Sequence, residues 1–245
     1  MPGRIVIEDL HLRLSGRDNL EFSSAELELS DRQRLLVLRG DNGSGKTTFL
    51  NILSGHVAPY RGRVVLDGYP LSGGSPVCAA KRGVVHAFQS PLLCNELRVW
   101  ENIALPLLTT WWLPVRRAHS RVASRLESLG LLHLKDRSPA ELSFGQKRIV
   151  ELLRVECQTK QDRVRLVLLD EPLAGLDKER RALAFEMIKS IVDAGLPTIL
   201  VEHDFHLAGL AEDAIEVELI AVNNGVRKFS TLASHASPPG GSLGL

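Results

Sequence analysis

The chain has 245 residues, 44% hydrophobic and 24% charged, with 30 Lys and Arg against 29 Asp and Glu for a net charge of +1. That length holds one large α/β domain, or a domain with a small subdomain, and enough apolar material for a sizeable core; the balanced charge forces no broad cationic surface, so nucleic acid is not expected as the main partner. Cys78, Cys94 and Cys157 are far apart with no Cys-x-x-Cys spacing, which argues against a disulfide framework or a structural zinc site and fits a reducing, cytosolic setting.

The opening residues, MPGRIVIEDL, carry no long apolar segment and are not expected to be a signal peptide. No stretch approaches the ~20 uninterrupted apolar residues of a membrane-spanning helix. RIVIEDLHLRL, AELELS and RLLVLRG have the alternating or short apolar pattern of strands. KTTFLNILSG then reads as a helix ending at Gly55, and GRVVLDGYPL as a strand pair turning at Asp67-Gly68. GGSP at 73–76 is expected as a loop before a strand, GVVHAFQ.

From about residue 91 the alternation fades, and ENIALPLL and RRAHSRVASRLESLGLLHL have helical spacing. A helical subdomain over about 91–157 is expected, inserted in a core that spans 1–235. Its last helix would open at ELSFGQKR, where Ser143 can cap while Phe144 and Gly145 occupy the first turn. A glycine there costs about 1 kcal/mol against alanine. RLVLLDEP is a nearly all-apolar strand ending in acid, the pattern of a strand buried on both faces. KERRALAFEMIKSIVDAG reads as an amphipathic helix, PTILVEHD as a second buried strand and VELIAVNNGVRKF as a hairpin. The Gly- and Pro-rich tail, 236–245, is expected to be disordered.

Gly40 to Thr48, GDNGSGKTT, satisfies G-x-x-x-x-G-K-[ST] and lies between a strand and a helix, as the motif requires. Its glycines let successive backbone N–H groups curl around a phosphate, and the helix N-terminus adds partial positive charge. Gly40, Asn42, Gly43, Ser44, Gly45, Lys46, Thr47 and Thr48 are the candidate nucleotide contacts, with Lys46 reaching the β and γ oxygens and Thr47 a Mg2+ ligand. The strand RLVLLDEP delivers Asp170 beside this loop as a carboxylate for Mg2+, leaving Glu171 to orient an attacking water. His203, ending TILVEHD, is a candidate for the γ-phosphate, and Gln89, ending VVHAFQ, for metal and water. TKQD at 159–162 resembles a guanine-reading motif, but it precedes the acidic strand instead of following it. It reads as a solvated loop, and adenine is the expected base.

Together these residues resemble the ATP-binding subunit of ABC transporters over all but the last ten or so positions. GDNGSGKTT matches Walker A, Gln89 the Q-loop, LSFGQ the signature, LVLLDE Walker B, AGLD the D-loop and His203 the switch histidine, in the family's order. The resemblance implies an α/β P-loop NTPase core with a mainly parallel sheet, an N-terminal antiparallel β subdomain and a helical subdomain carrying the signature. It implies Mg-dependent ATP hydrolysis by two domains sandwiching two ATP molecules head to tail, whether two copies or two different subunits. Ser143, Gly145 and Gln146 would then meet the ATP bound by the partner's P-loop, and Asp177 would communicate across the interface. It also implies a cytoplasmic subunit held at the membrane by integral membrane permease subunits, docked in a groove near Gln89 to Pro106. That segment lies beside Trp111 and Trp112 and contains Trp100; singly, each tryptophan is more simply read as core.

Three departures stand out. Phe144 replaces the family's usual glycine, and is expected either to pack into the helical insert or to touch the partner's nucleotide. Leu14 occupies the position of the usual adenine-stacking aromatic. CQTKQDR makes the stretch from Gln146 to Asp170 longer, as a surface loop. A soluble ABC ATPase acting on a macromolecular assembly, such as an iron–sulfur scaffold complex, stays open as the alternative.

Overall fold

A computed structural model describes residues 3–13, 20–29, 33–71, 75–110, 112–202, 210, 214–222 and 226–231. The N-terminal third contains β1 (Gly3–Leu12), β2 (Leu20–Phe22), β3 (Ala25–Leu29), β4 (Leu35–Arg39), α1 (Lys46–Leu53), β5 (Arg61–Leu66) and β6 (Tyr69–Pro70). Next come α2 (Pro76–Lys81), β7 (Val84–Ala87), α3 (Val99–Thr109), α4 (Val115–Ser128) and α5 (Phe144–Thr159). The remainder is β8 (Leu166–Asp170), α6 (Lys178–Asp193), β9 (Thr198–Val201), β10 (Ile215–Ala221) and β11 (Val226–Thr231).

Among the described residues the strands form one mixed sheet, in the order β6-β5-β1-β2-β11-β10-β4-β9-β8-β7, with β3 paired to β1. β10, β4, β9, β8 and β7 are mutually parallel. Pairing of β1 with β2, β3 and β5 is antiparallel, as is that of β5 with β6. The sequence reading of a mainly parallel core with an antiparallel N-terminal part therefore describes the observed sheet.

The central strands show why near-continuous apolar runs were required. In β4, Leu35 and Val37 face one core and Leu36 and Leu38 the other. In β8, Val167 and Leu169 alternate in the same way with Leu166 and Leu168. Period-two side chains buried on both faces leave no solvent side for polar residues. One core lies under α3 to α6, where Ala118, Val122 and Leu126 of α4 project at four-residue spacing. The other fills the space between the central strands, α1 and the N-terminal strands.

Two expectations are corrected. Pro76 is not in a loop: it opens α2, where Ser75 accepts a hydrogen bond from the Cys78 amide at 3.4 Å. Proline at the first helical position with serine before it is a helix start. CQTKQDR is not wholly a surface loop, because Cys157, Gln158 and Thr159 are buried and continue α5. Cys157 joins the core under α3 to α6, and that apolar contact carries the helix another turn. Only the residues from Lys160 onward form the surface segment.

Candidate nucleotide site

β4 delivers the chain to Gly40 at a backbone conformation closed to other residues. Its φ is 136°, and a Cβ there would lie 2.5 Å from the Leu219 carbonyl oxygen. Gly43 and Gly45 also have positive φ, 80° and 104°. α1 begins at Lys46 with no side-chain cap on its first amides, which leaves N–H groups at the positive end of the helix available to an anion. The Lys46 ammonium arcs back over the loop and donates to the carbonyls of Gly40, at 2.7 Å, and Asp41, at 2.9 Å. Burial lowers its pKa, and the charges of Glu171, Asp170 and Asp41 oppose that shift. Asn42 is exposed, Ser44 is buried, and Thr47 and Thr48 are half-buried.

Distant elements hold this loop. Arg227 of β11 donates from Nε to the Ser44 carbonyl at 2.7 Å. Leu20 and Phe22 of β2 lie against Gly45, 3.5 and 3.4 Å from where a Cβ would be. None of the three was identified from sequence, since no local pattern marks a strand that arrives from elsewhere to brace a loop.

Asp170, at the end of β8, is 1% exposed, and neither carboxylate oxygen has a hydrogen bond of ordinary geometry. Burial pushes its pKa up to about 6. The Thr47 hydroxyl, close by, opposes that shift, as do Arg148 and Lys46, while the Glu171 charge adds to it. A buried carboxylate with two orphaned oxygens fits a cation. No cluster of three or more His, Cys, Asp or Glu side chains suited to a metal occurs among the described residues, so such a cation would take its other ligands from Thr47, Gln89, water and the bound phosphates. Glu171 follows with φ 46°, a left-handed conformation rare for a side chain that long. Its amide donates to the Val201 carbonyl at 2.9 Å, and its carboxylate accepts from Gln89 Nε2 at 3.2 Å. The ends of β7, β8 and β9 thus converge, bringing Gln89, Asp170 and Glu171 to one place.

The signature segment opens α5. Ser143 caps α5: its hydroxyl accepts from the Gln146 amide at 3.3 Å, and its own amide donates to Gln146 Oε1 at 2.9 Å. Gly145 lies against the start of α6 and the residues before it: a Cβ would be 2.9 Å from Arg180 Cδ and 3.4 Å from a Leu176 methyl. An added methyl would make the Arg180 side chain shift, a packing demand that stands beside the phosphate access expected from sequence. Phe144 is 49% exposed. Its ring sits 3.1 Å from the Cβ position of Gly175, with the Arg148 guanidinium 5.7 Å from its centre. Asp177 caps α6 by accepting from the Arg180 amide at 2.9 Å, and also pairs with the Arg180 side chain. That cap, first of all, lowers its pKa.

His203, Leu14 and Trp111 lie outside the described residues, as does the tail over 236–245. Trp100 is half-buried against the α3 to α6 core and meets His119 edge-on at 4.9 Å. Trp112 is 82% exposed, so the core reading fails for it. Among the described residues no helix is long and apolar enough to cross a membrane.

The sequence profile of the family described as ABC transporter matches residues 23–174. A spermidine/putrescine import ATP-binding protein, PotA of Chromobacterium violaceum, is 39% identical over 169 residues, 69% of this chain and 45% of its own. The chain thus spans under half the length of that relative. The high-affinity branched-chain amino acid transport ATP-binding protein LivG of Salmonella typhimurium is 34% identical over 90% of this chain and 88% of its own. Among solved structures, an ATP-binding cassette captured as a dimer in a post-hydrolysis state with ADP and Pi superposes with a TM-score of 0.72. It covers 93% of this chain and 98% of its own at 20% identity, a likeness of fold. With a loop, a Walker B strand and a sheet order of this kind, and with relatives at this identity, the chain belongs to the ABC transporter family and has the fold of its ATP-binding cassettes.

Proposed function

We propose that the chain hydrolyses ATP with Mg2+ and powers transport through separate membrane-spanning subunits. The observation that carries this reading is the orphaned buried carboxylate of Asp170, beside Thr47 of the phosphate loop and next in sequence to Glu171. Mg2+ would be held by Thr47, Gln89 and Asp170, and would neutralise charge on the phosphates. Gly40, Asn42, Gly43, Ser44, Gly45 and Thr48 supply the loop and helix amides around them. Lys46 leaves the Gly40 and Asp41 carbonyls for the β and γ oxygens. Glu171, oriented by Gln89, positions the water that attacks the γ-phosphorus as the bond to the ADP oxygen breaks; His203 is the further candidate for the γ-phosphate.

The contacts of Ser143, Gly145 and Gln146 are with their own helix and with α6, while those of the phosphate loop are with β2, β10 and β11. These two sets of contacts do not overlap, which supports a head-to-tail dimer in which each chain's signature completes the partner's site, with Asp177 at the interface. The relatives named for import and transport favour a transporter subunit, membrane-bound through a permease in the groove near Gln89 to Pro106, over the soluble iron–sulfur type of ATPase.

Phosphate release from ATP by the purified chain, with and without Mg2+, tests the activity. Co-purification with a detergent-solubilised integral membrane protein tests the transport role. Turnover without Mg2+, or a stable complex with soluble proteins alone, would refute the respective part.

A further inference from the structure

Arg148 and Glu151 of α5 are both completely buried, an unusual place for two charges. Neither is in a motif that binds nucleotide. Besides each other, Arg154 and the Phe144 ring, their partners are the backbone around Gln89. Arg148 donates to the carbonyls of Phe88 and Gln89 and, at 3.1 Å, to Glu151. Glu151 accepts from the amides of Phe88, at 3.4 Å, and Leu92, at 3.3 Å. Arg154, one turn on, donates to the Leu92 carbonyl at 2.7 Å and pairs with Glu151 at 3.4 Å. Residues 88–92 are not in a helix or strand, so α5 side chains supply partners that secondary structure does not.

We propose that Arg148 and Glu151 are positioning residues: they fasten the Gln89 backbone to the helix that begins at the signature, so that Gln89 is held on Glu171 only when α5 is in place. The chain of contact is short. Phe144 in the first turn of α5 lies over the Arg148 guanidinium, that guanidinium holds the Gln89 carbonyl, and the Gln89 amide group holds Glu171. Gln89 joins α5 to Glu171 through its backbone at one end and its side chain at the other. A group engaged at the signature of α5 therefore acts on the hydrolytic carboxylate of the same chain. A buried ion pair contributes little net stability over apolar residues of its size, so geometry is the more economical account of this one. The inference rests on the hydrolytic reading above.

The test is a cycle of ATP turnover and nucleotide affinity. Arg148→Met with Glu151→Leu removes every donor and acceptor of the pair while keeping its volume, and Arg148→Lys keeps the charge but cannot fork across two carbonyls. Each is made alone and with Gln89→Ala. The expected result is a nucleotide Kd within about threefold of the parent and kcat lower by about tenfold or more; adding Gln89→Ala then costs less than about threefold further, because one function has already been lost. Amide exchange at Phe88 and Leu92 should quicken by about tenfold or more in the Met/Leu variant. Losses that multiply, or kcat within about twofold of the parent, would overturn the positioning role. Unchanged exchange would overturn the tether itself. A parent chain without turnover would refute the hydrolytic reading, and the positioning role with it, which distinguishes that failure from multiplying losses in an active parent.

Discussion

Asp170→Asn should stabilise the chain in the absence of metal and nucleotide. Asp170 has a folded-state pKa raised by burial from 3.8 to about 6, so the native state binds its proton more tightly than the unfolded state. The parent is then least encumbered below about pH 4, loses stability as pH rises from about 4 to 6, and carries a constant penalty above that window. The shift corresponds to about 3 kcal/mol. A neutral amide avoids the penalty but leaves its own buried polar atoms unpaired, returning about 1 kcal/mol. The expected gain at about pH 7.5 is ~2 kcal/mol, or about 4–8 °C in Tm for a domain of this size. Thermal unfolding of parent and variant with chelator, at about pH 7.5 and again at about pH 4, measures both halves of the argument. The advantage should nearly vanish at the lower pH, where the parent's carboxyl is protonated. A D170N variant no more stable than the parent at the higher pH, or an advantage that persists undiminished at the lower, would refute the assignment of an orphaned charge.

Glu171→Gln keeps a side chain able to meet Gln89, so nucleotide Kd should stay within about threefold while turnover falls by about a hundredfold or more; size-exclusion chromatography with ATP should show a trapped dimer. Lys46→Ala should weaken nucleotide binding by about tenfold or more in calorimetry, because it removes the flexible cationic donor proposed for the β and γ oxygens. Phe144→Gly removes a ring that touches Gly175 and Arg148 and is half in solvent. It should cost about 1–2 kcal/mol in unfolding, much of it helix propensity, and a turnover loss larger than that instability explains would mark the ring as part of the signature's coupling.

Much of the fold could be read because its physical determinants are local. A strand buried on both faces must be apolar throughout, and RLLVL and RLVLL are. Ser143 with Gln146 makes a capping box, and the observed helix starts there. The short β2 was missed because LEF is too brief to show a period, and it exists by pairing with β1 and β11. At the site, the phosphate loop, Asp170 and Gln89 announce themselves by motif and by position at strand ends. Arg227, Arg148 and Glu151 do not. Arg148 and Glu151 look like the solvated face of an amphipathic helix, since nothing in their spacing says that the exposed-looking side is covered by residues 88–92. What was illegible is the set of contacts made between segments distant in sequence.

The strand that presents the phosphate loop has both its neighbours far downstream: β4 is flanked by β9 and by β10, and the loop itself is braced by Arg227 of β11. During synthesis the phosphate loop at residues 40–48 therefore leaves the ribosome long before the strands that flank β4, with β2 already made among the elements that brace it. At about 5–20 residues per second, the wait for β11 is on the order of ten to forty seconds. Until β9 arrives, an apolar strand with two open edges has neither of its flanking partners. The phosphate loop consequently lacks its flanking strands and its Arg227 brace until β9, β10 and β11 arrive, and the chain is most exposed to misassociation while β4 waits.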